Sequence, residues 1–73
     1  MLSERWIVLE AQTFDDNNVS TIVTAHETVE QAQSEFYSKL AVAVTSEVPV
    51  HSVSLLNNEG NLLESRCFSH QTQ

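Results

Sequence analysis

A single segment with helical periodicity lies in the middle of this 73-residue chain, between segments that alternate like strands. From Thr28 onward, apolar residues such as Val29 and Phe36 recur at spacings of three and four, which places them on one side of a helix. Thr28 followed three residues later by Gln31 is typical of a capping box at a helix start. We therefore predict one amphipathic helix that begins after Thr28 and ends near Ser46.

Four segments rich in β-branched residues flank this helix in two pairs. Polar turn clusters divide each pair: 15–18 in the first, and 57–61 with Gly60 in the second. Pro49 ends the helical segment, and the run from Val42 to Val44 fits either a helix or a strand. The predicted strands span Arg5 to Thr13, Val19 to Ala25, Val50 to Leu56 and Leu62 to Phe68.

The order of these elements defines the expected fold. A β-β-α-β-β chain most simply forms an antiparallel four-stranded sheet with one helix packed on one face, which is an α+β architecture. No linker or low-complexity tract divides the sequence, so we expect residues 1–73 to form a single domain. The polar segment 70–73 is predicted to be a frayed tail.

The charge balance excludes several classes of function. Ten acidic and three basic residues give a formal net charge of −7, whereas nucleic-acid binding and polybasic membrane contacts both depend on Lys and Arg. The longest apolar run is far shorter than the roughly 20 residues that span a bilayer, and the first residues do not resemble a secretion leader. Cys67 is the single cysteine, which fits a reducing compartment. We expect a cytoplasmic protein in which this thiol is buried.

Catalytic and metal-binding motifs are weak. Cys67 and His70 have a C-x-x-H spacing, but His26 and His51 are scattered along the chain and do not complete a zinc pattern. The acidic turn at 15–18 lacks the spacing of a calcium loop, and no phosphate-binding loop is present. We predict no catalytic residue, no metal site and no cofactor, and hence a protein that is not an enzyme.

One helix can cover only one face of the sheet, yet apolar residues alternate onto both faces. Burial of a large apolar side chain contributes about 1.5–3 kcal/mol, while a domain this small rarely exceeds about 3–5 kcal/mol in total. We therefore predict self-association about a two-fold axis, face to face or edge to edge, as a homodimer or larger oligomer. The alternative is that these apolar residues are scattered singly and need no partner. The predicted contact residues are Trp6, Val8, Tyr37, Leu62 and Phe68.

The acidic surface has two interpretations. It could oppose a basic groove and imitate a nucleic acid, or it could simply keep the protein soluble. Because the acidic residues are dispersed over all segments, we favour the second interpretation.

Three segments carry a resemblance to known proteins: 28–32 (TVEQA), 36–40 (FYSKL) and the turn 58–61 (NEGN). In this hairpin-helix-hairpin pattern the chain resembles small phage-encoded accessory proteins of unknown function. The resemblance implies a phage or bacterial accessory protein that acts in the host cytoplasm. It also implies that the protein binds or inhibits a host protein, including one of a defence system.

Two other functions remain open. The protein could sequester a small ligand, such as a nucleotide signal, at a subunit interface where Arg5, Lys39 or Arg66 meets its charge. It could also be a minor structural component of a virion.

Overall fold

The computed structural model describes residues 4–70 and confirms the predicted α+β fold. All strand pairings in the sheet are antiparallel. The elements are β1 (Trp6–Thr13), β2 (Val19–His26), α1 (Val29–Val44), β3 (Val50–Asn57) and β4 (Leu62–Ser69).

The sheet has the strand order β2-β1-β3-β4, so the first strands of the two hairpins lie together at its centre. Val8 of β1 lies opposite Thr24 of β2 on one side and Leu55 of β3 on the other. Beyond β4, the backbone N–H of His70 donates to the carbonyl of Pro49 at 2.8 Å, so His70 continues this pairing. The remainder of the predicted frayed tail, 71–73, lies outside the described residues.

Helix α1 begins as the capping box predicts. The Thr28 hydroxyl oxygen accepts a hydrogen bond from the backbone N–H of Gln31 at 3.2 Å. The run from Val42 to Val44 is helical, and Thr45 caps the helix, so it ends slightly before the predicted position. Within residues 4–70, no helix is both long and apolar enough to cross a membrane.

The hydrophobic core lies between α1 and the two central strands. Phe36 is its largest fully buried side chain, and Trp6, Leu40 and Phe68 pack against its margin. The buried apolar residues are Val8, Ala32, Phe36, Ala43, Val53 and Leu55.

The prediction that Trp6, Val8 and Phe68 lie on the uncovered face of the sheet is wrong. Alternation places Trp6 and Val8 on the face of the sheet opposite to that of Ile7, but it does not determine which face the helix covers. In the structure the helix covers the face that carries Trp6 and Val8. Leu62 does lie on the uncovered face. A register shift between Leu55 and Leu56 places Leu62 opposite Leu56, so it no longer shares a side with Phe68.

Candidate interaction surface

The sheet face away from α1, which we call the open face, has no charged residue. Its members follow from strand alternation and from the registers of the three strand pairs. Each is apolar, a serine or a threonine. The open face consists of Ile7, Leu9, Ala11 and Thr13 from β1; Val19, Thr21, Val23 and Ala25 from β2; Val50, Ser52, Ser54 and Leu56 from β3; and Leu62, Ser65, Cys67 and Ser69 from β4.

The distribution of polarity departs from the usual pattern for a sheet covered on one side. Such sheets normally bury apolar residues and place charged residues in solvent. Here Glu10 and His51 are buried beneath the helix, while Val19, Val23 and Leu62 on the open face are 60–61% exposed. An uncharged surface with exposed apolar side chains of this kind is typical of a contact with another protein.

A polar cluster beneath the helix joins β1, α1 and the start of β3. His51 Nε2 lies 2.7 Å from Glu10 Oε2, and its Nδ1 lies 3.1 Å from Ser46 Oγ. Ser46 Oγ also accepts the backbone N–H of Val48 at 3.0 Å, so its own proton is free to donate to Nδ1. We therefore assign the imidazole proton to Nε2, which donates to Glu10.

Glu10 is held in its ionised form. Burial raises the pKa of this carboxyl, but the hydrogen bonds and charges of His51 and Lys39 together outweigh burial and lower the pKa below its ordinary value. Lys39 Nζ lies 3.4 Å from the second carboxylate oxygen. Both oxygens of this buried carboxylate therefore have a partner.

Ser46, His51 and Glu10 are connected in a row. They are the residue types that form a catalytic triad of nucleophile, base and acid. Two features argue for a structural role instead. The His51 side chain is 1% exposed, which leaves no access for a substrate to the imidazole. Ser46 Oγ is also engaged by the backbone of the loop that it belongs to. The cluster fixes the α1–β3 loop against β1.

A second cluster attaches α1 to β2. Glu35 accepts hydrogen bonds from His26, at 2.9 Å between Nε2 and Oε1, and from the Thr24 hydroxyl. Burial raises the pKa of Glu35, but these two hydrogen bonds, together with the charges of His26 and Lys39, outweigh burial and lower the pKa.

Two of the concave regions that residues 4–70 form lie outside the open face. The first, of about 440 Å³, lies between α1 and β1 beside Lys39. The second, of about 640 Å³, lies at the end of the sheet. The first is lined by Glu10, Gln12, Glu35, Ser38, Lys39 and Val42, and the second by Phe14, Asp15, Asp16, Glu47, Val48 and Pro49.

The predicted contact residues do not share one surface. Val8 is in the core, and Trp6 and Phe68 pack against it. Tyr37 is exposed on α1, with its hydroxyl 3.5 Å from Glu64, whereas Leu62 is on the opposite side of the sheet. Sequence reasoning did not select the open face as the uncovered one. The signal for it was available, because alternate positions of all four strands lack charge.

The three basic residues considered for a ligand lie on separate elements. Arg5 precedes β1, where its guanidinium is 4.0 Å from Glu27. Lys39 is in the groove beside α1, and Arg66 is on β4 opposite Val53. Within one subunit they do not form a common anion site.

The expectation of a buried thiol is wrong, because Cys67 is exposed. It lies on the open face, opposite Ser52, since its side of β4 points away from the helix. His70 Nε2 lies 2.9 Å from the carbonyl oxygen of Ala43, to which it can donate. Among residues 4–70, His, Cys, Asp and Glu side chains form no group of three that could hold a metal ion.

Comparison with known proteins adds no relative: no protein-family model, curated protein or solved structure gives a significant match.

Proposed function

We propose that this protein is a non-enzymatic binding module that self-associates by packing two open faces together. The charge-free open face is the observation that carries the proposal. Four strands about 4.8 Å apart, each of eight residues rising about 3.3 Å, cover roughly 500 Å² per copy. Two copies would bury roughly 1,000 Å² or more, which reaches the size of a specific interface.

A second copy is the occupant that the charge distribution favours. Each chain carries a net charge of −7, so most orientations of two copies oppose like charges. All ten acidic residues lie off the open face. The open face is therefore a surface on which two acidic copies can meet without opposing carboxylates.

The surface that remains outside such a dimer is acidic and is suited to a basic protein partner. By its resemblance to phage accessory proteins, we place the module in the bacterial host cytoplasm, where it binds or inhibits a host protein, including a component of a defence system. A purified complex should then weaken as ionic strength rises, because the contact is electrostatic. A complex that is insensitive to salt would contradict an acidic contact.

Solution mass tests the open-face contact. Leu9 lies on β1 in the centre of the open face, and Leu9→Lys would place an unpaired charge between the two sheets. Lysine also reduces the net charge, so general repulsion cannot explain a loss of association. We expect light scattering to show half the wild-type mass for Leu9→Lys, and the wild-type mass for Ser34→Lys on the exposed side of α1. An unchanged mass for Leu9→Lys would rule out this contact.

The groove beside Lys39 supports a second candidate function, the sequestration of a small anionic ligand such as a nucleotide. Lys39 would meet the anionic group, although Glu10 and Glu35 border it. Calorimetry with a panel of nucleotides separates the two functions. Saturable binding of a nucleotide, lost in Lys39→Ala, would support sequestration. If no nucleotide of the panel gives a heat of binding, sequestration of nucleotides is rejected.

A further inference from the structure

Strand β2 differs from β4 in how its free edge is protected. Natural edge strands carry charges, bulges or proline that discourage pairing with another chain. Strand β4 has Glu64, Arg66 and a register shift beside Leu55. Strand β2 is eight residues long, pairs with β1 in unbroken register, and contains no Asp, Glu, Lys, Arg or Pro.

The backbone groups that β2 directs outward can be identified from the turn that precedes it. The N–H of Phe14 donates to the carbonyl of Asn18 at 2.9 Å, so the hydrogen-bonded pairs of this ladder fall on even-numbered residues. The outward N–H and C=O groups therefore belong to the odd-numbered residues of β2. These are Val19, Thr21, Val23 and Ala25.

One two-fold arrangement uses all of these groups. If Ile22 lies opposite Ile22 of a second copy, Val19 pairs with Ala25 and Thr21 pairs with Val23 across the axis. Each of these residues then exchanges both backbone hydrogen bonds, which gives about eight ladder bonds.

The side chains suit the same register. Ile22 is 44% exposed on the helix side of the sheet and would pack on its symmetry mate at the axis. No charged residue of β2 opposes another.

We propose that β2 pairs with β2 of a second copy in this register and forms a continuous eight-stranded antiparallel sheet. The pairing axis is perpendicular to the sheet, so both helices lie on one side and the two open faces join on the other. The edge contact is separate from open-face packing. The edge contact and open-face packing together give a tetramer with 222 symmetry, of about 33 kDa for four copies of 8.2 kDa. The tetramer, unlike the edge contact, rests on the proposed function.

Thr21→Pro tests the edge contact. The Thr21 N–H points outward, so proline removes no bond to β1 but blocks pairing at the free edge. The control is Asp15→Pro, which places a proline in the exposed turn between β1 and β2, outside both the open face and the β2 strand. We expect light scattering to show a halved mass for Thr21→Pro and an unchanged mass for Asp15→Pro. Combined with Leu9→Lys, Thr21→Pro should give an 8.2 kDa monomer.

A second variant covers the case in which Thr21→Pro does not fold. Ile22→Lys keeps every backbone bond and places two like charges directly opposite each other at the axis, so it should also halve the mass. A wild-type mass for both folded edge variants would overturn the β2 pairing, whatever Leu9→Lys does. If the edge variants have a lower solution mass than wild type and Leu9→Lys does not, β2 pairing is retained and open-face packing is rejected. A monomeric wild-type protein would reject both.

Discussion

At the residue scale, the buried Glu10–His51 pair shows what the fold requires beneath its helix. A buried carboxylate is costly unless it is hydrogen-bonded and paired, and Glu10 has both His51 and Lys39. The sequence did not indicate this cluster, because residues 10, 39, 46 and 51 come together only through the strand register and the placement of α1. Each of them, taken alone, is an ordinary surface residue type.

Glu10→Gln should lower stability at neutral pH by about 1.5–3 kcal/mol, the range for hydrogen bonds to charged groups. The folded-state pKa of Glu10 lies below its ordinary value of 4.5. Its contribution is therefore complete above about pH 4.5 and is lost as the pH falls through the lower, folded-state pKa. Urea unfolding at pH 7 and at successively lower pH measures the free energy of unfolding. The difference in this free energy between wild type and Glu10→Gln should become smaller in acid.

The control is Glu59→Gln in the exposed β3–β4 turn, which should change the free energy of unfolding by less than about 0.5 kcal/mol. If the difference in free energy of unfolding between wild type and Glu10→Gln stays constant from neutral to acidic pH, Glu10 is not an ionised, paired carboxylate.

At the scale of elements, the sequence predicted most of the fold, because each element has its own local signal. The capping box places the start of α1, Pro49 precedes β3, and Gly60 takes a positive φ of 86° in the last turn. What the sequence did not determine is which side of the sheet the helix covers. Alternation places Trp6 and Ile7 on opposite faces of the sheet. Which of these faces is buried depends on where Phe36 of the helix packs. The register shift that moves Leu62 to the open face also has no clear sequence signal.

Thr28→Ala should destabilise the domain by about 1 kcal/mol, because it removes the acceptor for the Gln31 N–H at the start of α1. Thermal unfolding followed by circular dichroism measures the loss. Ser34→Ala, at an exposed position inside the same helix, should leave stability equal or slightly higher, since alanine has the better helix propensity. Equal stabilities for Thr28→Ala and wild type would show that the cap contributes nothing.

At the scale of the whole molecule, the fold separates charge from apolar surface. An acidic protein with a net charge of −7 keeps one complete sheet face free of charge, and it places the buried hydrogen bond between Glu10 and His51 on the other side. This separation supports the proposed assembly, in which the open face forms the contact between copies and the acidic surface is available to a partner.

The most direct test of open-face packing is the rate at which a maleimide labels Cys67. The thiol is exposed in one subunit and lies on the open face, on β4, two strands away from β1 and three from the β2 edge. Open-face packing predicts that labelling slows several-fold as protein concentration rises, and that Leu9→Lys restores the fast rate. Pairing through β2 alone would leave the thiol accessible. A labelling rate that is the same at every concentration, and the same for Leu9→Lys, would contradict packing through the open face.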